Sequence, residues 1–143
     1  MKRLPNWERL LGAYFTSART RPFAWGTFDC AMGLCDGMLA ITGVDVGAPY
    51  RGRYDSEAGA MALIGSDLGA FAAKVAGASG MAEIKPTFAR RGDAGLVNNT
   101  LRGQAASTAL GQVDLGGNFA WCASDRGFVR VPMKRWLRAW RVG

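Results

Sequence analysis

The chain has 143 residues, of which 49% are apolar and 20% charged, a balance that suits one globular domain with its own core and excludes a disordered polymer. No apolar run approaches the roughly 20 residues of a membrane helix. The start Met1-Lys2-Arg3-Leu4-Pro5 leads into an amphipathic segment rather than a signal sequence, so a cytoplasm-like compartment is expected. The net charge of +7 points to acidic partners: nucleic acid, anionic glycan or a negatively charged protein surface.

Metal chemistry fits badly. The chain has no histidine, and its three cysteines, Cys30, Cys35 and Cys122, lack paired spacing. That argues against zinc, against an iron–sulfur cluster and against a disulfide framework, and no cofactor is expected. The 20 glycines are about twice the usual share, so glycine-bearing helices have to be held by packing rather than by propensity.

From the N terminus, a first helix is expected with Asn6 as its cap and Trp7, Leu10, Leu11, Tyr14 and Phe15 on one side. Pro22 then forces an extended path into Phe23-Ala24-Trp25. The stretch Trp25-Gly26-Thr27-Phe28-Asp29-Cys30 opens a second helix, with Asp29 as cap, apolar residues at helical spacing to Thr42, and Gly43 as the stop. Cys30 therefore falls in the first turn. Unpaired backbone N–H groups and the positive end of the helix dipole favour thiolate there, and can carry a cysteine pKa from about 8.5 towards neutrality or below. Such a position reads as a nucleophile site, although periodicity alone favours a packing residue, because cysteine behaves as a small hydrophobe.

Val44 to Tyr54 reads as a loop. A third helix, capped at Asp55 or Ser56, is expected to run to Ile64 with Ala58, Met61 and Ala62 in its apolar stripe; a fourth, capped at Ser66 or Asp67, spans Leu68 to Ala76. From Phe88 the pattern changes to turns and strands: Arg91-Gly92-Asp93, then Ala94 to Val97, Ala105 to Val113, Asn118 to Ala123 and Gly127 to Val131. The fold class is thus α+β, a single domain over 1–143 with N-terminal helices packed on a C-terminal antiparallel sheet. At the end, Met133, Trp136, Leu137 and Trp140 recur at helical spacing and are expected to close the core. The arginines around them, with Asp125 the only acid nearby, would then project outward. They form either a solvated face or a binding patch, with Arg130, Arg135 and Arg138 as its contacts.

The order of these parts resembles the NlpC-type cell-wall cysteine peptidases, a papain-like family. In that family Asp-Cys opens a helix, Arg-Pro-Gly-Asp leads into the first sheet strand, and a His-Val-Gly-Ile strand supplies the base. Here Asp29-Cys30, Arg91-Gly92-Asp93 and Ala109-Leu110-Gly111-Gln112-Val113 stand in those places. The Trp-Gly-x-Phe-Asp-Cys form is similar, more narrowly, to small phage and prophage proteins of this group found among tail genes. The resemblance implies Cys30 as the nucleophile position and Ala109 where the histidine belongs. With no imidazole to ionise the thiol and protonate a leaving amine, it implies a retained scaffold with lost chemistry. Ser107 and Thr108 titrate too high to substitute, and Asp93 or Asp114 would raise the thiol pKa rather than lower it.

Three functions are expected from this. The first is a catalytically inactive structural or assembly protein of a phage tail, at its tip, made in the host cytoplasm and carried in the virion beside other tail proteins. The second is an active thiol hydrolase of peptidoglycan or its stem peptides, with the base supplied by a partner chain. The third is a basic nucleic-acid-binding module. Fold alone does not choose between them.

Overall fold

A computed structural model describes residues 1–99 and 107–143. Among the described residues four helices come first: α1 Trp7–Ala18, α2 Cys30–Thr42, α3 Glu57–Ile64 and α4 Leu68–Ala78. Asp29 caps α2 through Oδ1, which accepts the Met32 N–H at 2.8 Å, and Gly43, at φ 75°, ends it with its N–H on the Leu39 carbonyl. Ser56 and Asp67 cap α3 and α4 in the same way, from Gly59 and Ala70. Asn6 precedes α1 but its side chain makes no capping bond; buried Leu11, Phe15 and Ala18 hold that helix by packing instead. No single helix among the described residues is long and apolar enough to cross a membrane.

Six strands follow among the described residues: β1 Glu83–Ile84, β2 Ala94–Asn98, β3 Thr108–Val113, β4 Phe119–Ser124, β5 Gly127–Pro132 and β6 Trp136–Trp140. They form one sheet in the order β1-β6-β2-β3-β4-β5, and every neighbouring pair is antiparallel. The α+β class with helices first and sheet second is therefore what the chain adopts. The start expected for the third strand, Ala105, lies outside the described residues.

The C-terminal segment is a strand and not the helix that its spacing suggests. A short 3-10 turn, Met133–Arg135, leads into β6. Pairing of β6 with β2 shifts register between Leu96 and Val97, which face Arg138 and Trp136 respectively, so Leu137 is an extra residue. A bulge of this kind reverses which face the following side chains take. Trp140 goes to the core beneath the helices, Trp136 and Ala139 go to the cluster on the other side of the sheet, and Leu137 stays exposed. Bulge geometry here imitates a helical repeat.

Helix α2 is the centre of the core. Met32, Leu34, Met38 and Ile41 are buried against α1, α4 and the strands, each contributing about 1.5–3 kcal/mol. Its glycines permit that approach. A Cβ on Gly37 would lie 1.9 Å from Gln112 Oε1 and 2.9 Å from the Tyr14 ring, while Tyr14 donates its hydroxyl to the Gly33 carbonyl. On the far face of the sheet, Val97, Ala109, Val113, Cys122, Val131 and Trp136 form a second buried cluster.

One carboxylate locks the two ends of the chain together. Asp93, fully buried, accepts from Arg3 at 2.8 Å and the Val142 N–H at 3.1 Å on Oδ1, and from Arg141 at 2.8 Å and the Arg90 N–H at 2.9 Å on Oδ2. The Arg91-Gly92-Asp93 turn is therefore a structural clasp.

The third helix departs from expectation. Of its apolar residues only Ala60 is buried, and Ala58, Met61 and Ala62 face outward. Helix α4 runs two residues further than its glycines suggest, to Ala78.

Candidate functional site

The Trp25–Cys30 motif separates into residues that the fold needs and one that it does not. Gly26, at φ 81°, donates its N–H to Asp29 Oδ2 at 2.8 Å and accepts the Gly52 N–H at 2.9 Å. A Cβ there would sit 1.9 Å from the Tyr54 carbonyl oxygen. Phe28 is buried with Ala18 and Ala123, and Asp29 is the cap just described. Trp25, by contrast, is 36% exposed, with Phe23 packed edge-on against it at 5.0 Å. Nothing in the folding of α2 requires an indole at that place.

Cys30 is the first residue of α2 and packs on both sides of the sheet's core. Burial pushes its thiol up to about 11; hydrogen bonding from the backbone at Leu110, Ala31 and Cys30 itself pulls the other way, and the Asp29 charge adds to the rise. The helix start does what dipole and N–H geometry predict, but desolvation outweighs it. The direction is opposite to the fall that the helix start alone suggests. Cys35 and Cys122 are buried and raised for the same first reason.

Two depressions, of 260 and 220 Å³, meet over Cys30 and share Trp25, Cys30, Glu57 and Thr108 in their walls. The first runs along α3 past Met61 and Ile64; the second runs along the sheet past Ala109, Ser124 and Asp125. Cys30 and Ala109 are thus brought into one cleft. Ala109 presents a buried methyl group, and Ser124 donates its hydroxyl to the Gly127 carbonyl at 2.8 Å. Asp93 and Asp114 are elsewhere. Gly92, beside Asp93, abuts Ile41, three turns along α2 from Cys30 and about 16 Å of helix rise away. Asp114 accepts the Asn118 N–H at 3.2 Å within its own hairpin. Among the described residues no cluster of three or more His, Cys, Asp or Glu could hold a metal ion. A separate small hollow of 30 Å³ between α2, α4 and Trp140 is lined by apolar residues.

Sequence reasoning missed Glu57 and Asp125. Each stands in a different element, and only the tertiary fold puts them near Cys30, so no local pattern marks them. The three arginines singled out from sequence do not form one patch. Arg138 is engaged, with both guanidinium branches on Glu83 at 2.8 Å and a third bond to the Gly69 carbonyl at 3.1 Å. Arg130 lies over the Phe119 ring at 4.7 Å, on the exposed side of β5. Arg135 is exposed, with no ion pair among the described residues.

Fold and site together define an α+β protein whose second helix brings a cysteine against an antiparallel sheet. The chain belongs to DUF6950, a domain family of unknown function, whose model matches residues 2–142. No curated protein matches the chain, and no solved structure matches it either.

Proposed function

We propose that the protein is an NlpC-like, papain-type domain without peptidase chemistry, serving as a structural or assembly component of a phage tail, at its tip. The observation that carries this reading is the cleft wall facing Cys30. Ala109 offers a methyl group there where a base should stand, and the chain has no histidine to take its place. The arrangement of Asp29-Cys30 at the head of α2, Asp93 before β2 and Ala109 on β3 is the one the resemblance implies. Removing a general base from a cysteine or serine hydrolase typically costs orders of magnitude in rate, so a scaffold role is what remains of this design.

The test has two arms. Purified protein incubated with peptidoglycan and its stem peptides is expected to release no product above background; release that vanishes in Cys30→Ala would overturn the inactive reading. In the phage that encodes the chain, the protein is expected in purified particles, and the double variant Arg130→Glu/Arg135→Glu is expected to enter them less well. Arg138 is left out because its loss would break the Glu83 pair. Protein found only free in lysate would overturn the tail assignment.

A further inference from the structure

The cleft over Cys30 is charged against the rest of the molecule. The chain has 18 lysines and arginines against 11 acids, yet among the described residues Glu57 and Asp125 stand in the cleft walls and no lysine or arginine does. Both carboxylates are exposed, and neither joins an ion pair among the described residues. The segment from Asp55 to Ala73, which builds one side of the cleft, holds Asp55, Glu57 and Asp67 and no basic residue. Trp25 stands in the wall of both depressions, and an indole face is the best aromatic partner for a cation. Beside it, Met61 is 53% exposed on α3, and Ile64 lines the same wall. An anionic ligand would meet two carboxylates that have no ion pair among the described residues, and a purely apolar one would leave them desolvated at a cost.

We propose that this cleft is the docking groove for an extended, basic segment of a partner protein. A lysine or arginine side chain is taken by Trp25, Glu57 and Asp125, and the aliphatic residues flanking it lie on Met61 and Ile64 of α3. The peptide passes over Cys30 without reacting, and in this respect alone the inference rests on the inactive reading above. It also reverses the expectation drawn from net charge, since the partner's recognised charge is positive.

Random linear peptides displayed on yeast, selected on the immobilised full-length protein, test it. Enrichment of sequences with lysine or arginine beside aliphatic residues is expected. An enriched peptide made synthetically should bind Glu57→Gln/Asp125→Asn, and separately Trp25→Ala, about tenfold more weakly, and bind Arg9→Glu, on α1 and outside both depressions, unchanged. All these side chains are exposed, so the variants are expected to keep the wild-type thermal transition. No enrichment, enrichment of acidic or uncharged peptides, or equal binding by the variants would overturn the proposal. Self-association abolished by Glu57→Gln/Asp125→Asn, with no peptide enriched, would overturn it in favour of a second copy. Mass spectrometry of the bound peptide separates the two readings: a cleaved peptide refutes the inactive reading while leaving the groove in place.

Discussion

Tyr54 donates its hydroxyl to Oδ2 of Asp29, the same oxygen that accepts the Gly26 N–H, while Oδ1 caps α2. One buried carboxylate thereby joins the approach to Cys30, the start of its helix and the end of the loop before α3. The cleft's two walls are set relative to each other by this contact. Tyr54→Phe should therefore lower stability by about 1–3 kcal/mol, the cost of leaving a buried acceptor short of one donor. Urea denaturation measures it, and an unchanged midpoint would show that the bond carries no weight.

Reactivity follows from the Cys30 environment. With the thiol moved from 9.0 to about 11, the thiolate fraction near pH 7.5 falls about 100-fold relative to an unperturbed cysteine. Iodoacetamide labelling of Cys30, read by mass spectrometry, should be slower than that of free cysteine by about that factor. Labelling as fast as free cysteine would mean that the helix terminus prevails over burial after all.

Alkaline pH should unfold the protein earlier than a typical domain. Cys30 and Cys35 are held protonated up to about 11 and about 12, from an ordinary value of 9.0, by burial first, and Cys122, Tyr14 and Tyr54 are raised by burial too. Below pH 9 both folded and unfolded chains keep these protons, and the contribution to stability is complete. Above about pH 9 for the thiols and pH 10 for the phenols, and up to the raised values, only the unfolded chain releases them, so stability falls as pH rises, by up to about 1.4 kcal/mol per unit for each thiol. Urea midpoints at pH 8, 9 and 10 should decline, and replacing all three cysteines with alanine should flatten that decline.

The Asp93 clasp should be sensitive to loss of its charge. Asp93→Asn leaves Arg3 and Arg141, 15% and 30% exposed, beside a neutral partner. A cost of about 2–4 kcal/mol is expected, somewhat below that of a fully buried pair because both arginines reach water. Denaturant unfolding reports it, and a change under about 0.5 kcal/mol would show that the clasp contributes no more than an ordinary surface pair.

Two glycines should respond in opposite directions. A Cβ on Gly95 would lie 2.1 Å from the Trp136 ring, so Gly95→Ala should destabilise by at least about 1–3 kcal/mol. Gly77, near the end of α4, has nothing within 4 Å of its built Cβ, and Gly77→Ala should stabilise by up to about 1 kcal/mol. Thermal melts of the pair compare them directly.

The bounds of α2 were legible in the sequence because Asp29 and Gly43 act locally, one through a side-chain oxygen and the other through its backbone freedom. The nature of β6 was not, because Trp136 and Trp140 owe their burial to a bulge opposite Leu96 and Val97, and register is a property of two strands. The same distinction runs through the site. Cys30 could be placed at a helix start from its neighbours, but its desolvation depends on β3 packing over it, and Glu57 and Asp125 meet only through tertiary topology.

The sheet's two margins are unequal and both unreceptive. On one side β1 is two residues long; on the other β5 carries the exposed Arg130 and ends in Pro132. A short margin gives little main chain to pair with, while charge and proline on the longer one discourage an added strand. Copies of this protein, or of any neighbour, are thereby steered away from joining it by main-chain zippering. Attachment is left to side-chain surfaces, which can be rewritten one residue at a time without disturbing the ladder beneath them.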